Sequence, residues 1–253
     1  MNKKYGKSLL KGFLIIGLIM FSFPGFSQTK TVLFDEGHGQ RFKTDDTESL
    51  GLSKFSEIFI NEGWKVEISK TELTDELLKG VDALVISGAF EIVEVAEITA
   101  ITRFLQKGGK LSVMLHIGFP VSDLLHTLHV SISNGVIHEV GDLVVDNDID
   151  FMVRDLTAHE ITKNLKYFTI YGGWALLSRI PQVYAIARTS ENAWIDLNND
   201  KMADAQQVFS TVLVGNVGSG EFVVFSDDAI FQNHFLSGHN HLLAENLVKW
   251  LAK

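Results

Sequence analysis

The chain has 253 residues, 46% of them apolar and 21% charged, with 22 Lys and Arg against 31 Asp and Glu. This mixture excludes a disordered or fibrous chain, and a formal charge of −9 with no basic patch argues against a nucleic-acid partner. The absence of Cys removes thiol nucleophiles, disulfides and Cys-linked lipid anchors.

Lys3, Lys4, Lys7 and Lys11 precede or open an apolar run from Gly12 to Phe23, which Pro24 breaks. Gly25-Phe26-Ser27 supplies small residues for cleavage before Gln28. A charged start, a short apolar run and a cleavage site read as a signal peptide over residues 1–27. The run is too short to span a bilayer as a stable helix. Residues 28–253 are then one exported domain, periplasmic or extracellular, with no membrane span after processing. Removing four lysines leaves 18 bases against 31 acids, a formal charge of −13.

Within that domain, short apolar runs alternate with amphipathic stretches. Thr31–Phe34 reads as a buried strand. Leu50, Leu52, Phe55, Ile58 and Phe59 recur at helical spacing and stop near Gly63. Trp64–Ile68 is the next strand, and Thr74 is placed to cap a short helix carrying Leu77 and Leu78. Ala83–Ile86 is a third strand. A helical stripe of Ile92, Val95, Ala96, Ile98, Thr99, Ile101, Phe104 and Leu105 ends at Gly108-Gly109, and Lys110–Leu115 is a fourth strand. This alternation predicts a parallel sheet covered by helices on both faces. From Val130 to Phe225 the pattern changes to strands and turns. His241–Leu251 then forms a closing helix with Leu242, Leu243, Leu247, Val248 and Leu251 on one face.

In such a sheet, ligands bind beyond the carboxyl ends of the strands. The first strand runs out into Asp35-Glu36-Gly37-His38-Gly39-Gln40-Arg41. Carboxylates, an imidazole and glycines packed this densely fit an acid/base or metal site. The fourth strand ends at His116, facing the same crevice, and the last ends at Asp227 and Asp228. The ligand-binding candidates are therefore Asp35, Glu36, His38, Gln40, His116, Asp227 and Asp228. If they converge, their carboxylates should raise the pKa of His38, whereas a bound metal would require it neutral.

Several stretches in order carry a family resemblance: VLFDEGHGQRF at 32–42, DALVISG at 82–88, FLQKGGKLSVMLH at 104–116, HEITKNL at 159–165, GEFVVFSDDAIFQN at 220–233 and NHLLAENLVKWL at 240–251. Together they resemble the glutamine-amidotransferase-like superfamily, most of all an uncharacterised secreted branch related to its ThuA-like and gliding-motility domains. The resemblance implies a three-layer flavodoxin-like α/β fold, a mostly parallel sheet with a β-rich C-terminal part. It also implies a small polar or carbohydrate ligand at the strand ends, or an envelope protein partner. Catalytic members carry a Cys in the turn after a central strand. Here that turn is His116-Ile117-Gly118, so thiolate amidotransfer is excluded on chemistry. DEGHGQ also resembles the zinc-binding start of cell-wall N-acetylmuramoyl-L-alanine amidases, with His38 and Glu48 at workable spacing. The further His expected after the next buried strand is replaced by Ser87-Gly88-Ala89. Zinc therefore lacks a full ligand set, and a metal-dependent hydrolase using Glu36, His38 and His116 is the alternative reading.

Asp196, Asn198, Asp200, Met202 and Asp204 have the oxygen spacing of a calcium loop. Lys201 stands where such loops have Gly, and Gln207 where they have Glu. A hairpin turn rich in Asn and Asp is the competing explanation.

Overall fold

The computed structural model describes residues 29–198 and 200–253, together with Met1. The signal peptide expected over residues 1–27, apart from Met1, lies outside the described residues, as does Asn199. The α/β half opens with β1 (Thr31–Asp35), α1 (Ser53–Asn61), β2 (Lys65–Ser69) and β3 (Ala83–Ser87). It continues with α2 (Val95–Gln106), β4 (Lys110–Met114) and α3 (Ser122–Thr127). The β-rich stretch contains β5 (Ser131–His138), β6 (Asp150–Val153), β7 (Asp155–Leu156), β8 (Phe168–Tyr171), β9 (Trp174–Leu177) and β10 (Tyr184–Arg188). After these come β11 (Trp194–Ile195), β12 (Ala205–Gln206), β13 (Ser210–Val217) and β14 (Gly220–Phe225), and α4 (Gly238–Leu251) closes the chain.

One large sheet runs β12-β11-β5-β9-β13-β14-β4-β3-β1-β2, with β10 on β13 and β7 on β10; β6 and β8 pair separately. The segment β2-β1-β3-β4-β14 is parallel, with Val32 opposite both Val66 and Ala83, and Val113 opposite Val224. Beyond β14 every pairing in the large sheet is antiparallel. The mostly parallel sheet expected from the sequence is therefore correct for one half only. The cause is local: β13 and β14 form a tight hairpin, and the rest of the β-rich stretch builds outward from it.

The parallel strands bury both faces, which is why they read as unbroken apolar runs. Alternating residues send Phe34, Val85 and Phe225 to one face, against Phe55 and Phe59 of α1 and Leu247 of α4. Leu84, Ile86 and Val224 go to the other face, against Ile101 and Leu105 of α2 and Leu124 of α3. Truncating one fully buried ring such as Phe55 to Ala should cost about 3–5 kcal/mol.

Several elements differ from expectation. Thr74 does accept the Leu77 N–H at 3.2 Å, but residues 75–80 form turns, not a helix, and Gly80 at φ 80° ends them. Trp174–Leu177 is a strand, and Ser122–Thr127 a short helix, that the sequence pattern did not announce. No helix among the described residues is long and apolar enough to cross a membrane.

Candidate functional site

The loop leaving β1 folds back at once. Asp35 accepts the N–H of Gly37 at 3.0 Å through Oδ1. Its Oδ2 accepts from the Gln40 amide at 2.6 Å and bonds His38 Nδ1 at 2.8 Å. The Gln40 side-chain oxygen Oε1 accepts the His38 backbone N–H at 2.7 Å. Gly37 allows this close return, because a Cβ there would stand 2.7 Å from the carbonyl oxygen of Thr71.

The opposite ring nitrogen of His38, Nε2, meets the Glu97 carboxylate at 3.0–3.1 Å. Glu97 sits in the first turn of α2 and also accepts the N–H groups of Leu73 at 2.7 Å and Glu94 at 2.9 Å. Asp35, His38, Gln40 and Glu97 are all buried. Burial lowers the His38 pKa, but hydrogen bonds and charge from Asp35 and Glu97 outweigh it and raise the value to about 9. Burial likewise opposes ionisation of Glu97, yet the two backbone N–H groups and His38 hold its pKa below the ordinary range. At neutral pH His38 is thus an imidazolium clamped between two carboxylates. Neither nitrogen offers a lone pair to a metal, and the described residues contain no group of three His, Asp or Glu side chains arranged for one.

Sequence reasoning missed Glu97, reading α2 as an apolar stripe. The signal was present: Glu97 lies four residues before Ile101 and eight before Leu105, so it occupies a core-facing position. Glu36 turns away from this cluster, accepting the N–H and hydroxyl of Thr44 at 2.9 and 2.8 Å. Glu48 is exposed and joins neither histidine. An open cavity of about 990 Å³ lies over the ends of β1, β2 and β3, its wall including His38, Glu72, Phe90, Glu91, Glu94, Glu97 and Phe119.

His116 belongs to a second cluster. Its Nδ1 bonds Asp228 Oδ1 at 3.1 Å, joining the ends of the adjacent parallel strands β4 and β14. The backbone is pinned by the Trp174 indole N–H, which donates to the His116 carbonyl at 3.0 Å. The ring lies 5.1 Å from the rings of both Phe42 and Phe90, and 38% of the side chain stays exposed. Asp228 itself is buried, and its Oδ2 has no hydrogen-bond partner. That oxygen packs on Gly88, where φ is 58° and a Cβ would come within 2.5 Å of it. The bond to Asp228 raises the His116 pKa against burial and the charge of Arg41. Burial raises that of Asp228 against the pull of His116.

Asp227, the neighbour, is not part of an open rim. It accepts the N–H groups of Tyr171 and Ala229 at 2.8 and 2.9 Å. Burial, reinforced by Asp228, drives its pKa well above the ordinary carboxylate range. The single convergent site expected from sequence is therefore two clusters. They are connected by the loop after β3, whose Phe90 and Glu91 N–H groups both donate to the His38 carbonyl at 2.9 Å while the Phe90 ring touches His116.

The 196–204 loop closes on itself between β11 and β12. Asp196 accepts from the N–H groups of Asn198 and Lys201 at 3.1 and 2.8 Å, and Asp204 from that of Leu197 at 2.7 Å. Asn198 and Asp200 accept the N–H groups of Asp200 and Met202, each at 2.9 Å. Lys201 takes φ 65°, the conformation for which calcium loops use Gly.

These features define a mixed α/β protein with polar clusters at the carboxyl ends of its parallel strands. Residues 44–248 match the family described as "Domain of unknown function (DUF4350)", and the chain belongs to that family. No curated protein matches it. Among solved structures it is similar to the N-terminal domain of mmIFT52, with a TM-score of 0.71 at 20% identity, over 88% of this chain and 97% of that one. It is also similar to a protein from Bacteroides uniformis designated ThuA-like, with a TM-score of 0.54 at 15% identity, over 90% and 95% of the two chains. A third is a Thermoplasma acidophilum protein designated a GMP synthase component, with a TM-score of 0.54 at 11% identity, over 88% and 94%. At such identities the likeness is one of fold.

Proposed function

We propose that this protein is an exported, thiol-free member of the glutamine-amidotransferase-like superfamily that binds a small polar ligand or carbohydrate at the strand ends. The parallel order β2-β1-β3-β4-β14, with helices on both faces, supports a three-layer flavodoxin-like core. The likeness to the ThuA-like and GMP synthase proteins supports the same superfamily. The turn after β4 supports binding without thiolate chemistry. It carries His116 where catalytic relatives have Cys, and the nearby Ser122 hydroxyl donates to the Phe119 carbonyl at 2.9 Å.

The observation that carries the reading is the state of His116. A buried carboxylate fixes its Nδ1, while its half-exposed ring packs against two phenylalanines. Such a group orients a polar ligand through the remaining nitrogen and gives its apolar face a surface. The test is a thermal-shift screen of the purified protein against neutral sugars, sugar acids and amino acids, repeated with His116→Ala. A ligand that raises the midpoint of the wild type and not of the variant is the expected result. Hits that act equally on both would move the binding site elsewhere.

A further inference from the structure

Resting on the His116 site just proposed, we infer that Arg41, His116 and the neighbouring Phe42 and Phe90 form a subsite for the carboxylate of a monoanionic ligand. Arg41 is exposed, and its guanidinium carbon lies 4.2 Å from the Phe90 ring centroid. Among the described residues it pairs with no carboxylate. His116 approaches the same Phe90 ring, and Phe42 packs on both, 5.1 Å from His116 and 6.4 Å from Phe90. The loop residue that follows His38 by three is thus held beside the turn that ends β4.

The free cation decides the ligand. His116 already pairs with the Asp228 carboxylate, whereas Arg41 pairs with no carboxylate among the described residues. Its charge already opposes protonation of His116, and an anion between the two would relieve that repulsion. The guanidinium fork matches a planar carboxylate, and the remaining imidazole nitrogen supplies a further donor. The phenylalanines favour a carboxylate attached to an apolar or ring-shaped body. A dianion is disfavoured, because Glu72, Glu91 and Glu94 line the adjoining cavity with no Lys or Arg among its wall residues.

The experiment follows the His116 imidazole resonances of the purified protein during titration with benzoate, methyl benzoate and inorganic phosphate. Benzoate should give a saturable shift, methyl benzoate none, and phosphate weaker binding than benzoate. Arg41→Gln should weaken benzoate by about tenfold or more, the loss of one charged hydrogen-bonding group. Arg41 is exposed, so this variant keeps the fold, and Arg41→Lys should recover only part of the affinity. Equal shifts with methyl benzoate, tighter binding of phosphate, no saturable response to benzoate, or unchanged affinity in Arg41→Gln would overturn the inference. A neutral sugar that binds through His116 while benzoate does not would leave the broader binding reading intact and remove the anion.

Discussion

His38 and His116 both follow strands of the same parallel segment, and both face a carboxylate through Nδ1. They differ in what meets the other nitrogen. For His38 it is Glu97, and 5% of the side chain is exposed; His116 bonds no second carboxylate among the described residues, and 38% of it is exposed. One histidine is therefore a buried tie between the β1 loop and α2, and the other a half-open group with a nitrogen to offer. Residue type and position at a strand end do not separate a structural histidine from the one proposed to bind a ligand. The number of partners and the access of solvent do.

The comparison breaks most visibly if Glu97 is removed. Glu97→Ala leaves an imidazolium paired on one side only and strips the Leu73 and Glu94 N–H groups of their acceptor. A loss of about 3–5 kcal/mol is expected, measured by urea denaturation. A loss below 1 kcal/mol, roughly the level of a surface pair, would mean the tie is not structural.

A slightly smaller effect should appear with pH. The folded pKa of His38, about 9, exceeds its unfolded value of about 6.5. The proton held by the folded state therefore adds stability that is complete below about pH 6.5 and disappears as pH rises through about 9. The contribution at stake is up to about 3 kcal/mol. Urea midpoints of the wild type should fall across that window, and those of His38→Gln should fall less.

Removing His116 should do the reverse of removing Glu97, harming binding more than folding. His116→Ala is expected to cost about 1–3 kcal/mol, because Asp228 loses its partner but can take up a proton. Ligand binding should disappear. A variant as unstable as Glu97→Ala would erase the distinction between the two histidines. The smallest effect concerns the 196–204 loop, whose side-chain oxygens already accept from its own N–H groups. Millimolar calcium is expected to leave the melting temperature unchanged, and a rise abolished by Asp204→Ala would establish a cation site.

Much of the parallel half was legible because its signals are local. Buried runs such as Ala83–Ile86 and the stripe through Ile101 and Leu105 announce their elements within a few residues. Pairing across long separations left no such trace. Nothing near Glu221 indicates that its strand lies parallel to the one starting at Lys110 while also turning antiparallel against β13. The site was half legible for the same reason. Asp35, His38 and Gln40 meet within one loop, whereas Glu97 reaches His38 from an intervening helix. Asp227 and Asp228 are adjacent in sequence, yet one turns to backbone amides and the other to His116, a divergence set by strands far from both.

The position of β14 also shapes how the chain must assemble. Its partner β4 is complete at Met114, but β14 begins only at Gly220, after the whole β-rich stretch. Until then β4 presents an unpaired backbone edge carrying Leu111, Val113 and Met114, the kind of surface that captures other strands. During synthesis that edge waits while roughly a hundred residues emerge, on the order of 5–20 s at ordinary translation rates. Closing so long an interval also slows the final pairing. A nascent or truncated chain ending before Gly220 should therefore aggregate through β4 and depend on chaperones, and the hairpin of β13 and β14 acts as the late stopper on the sheet.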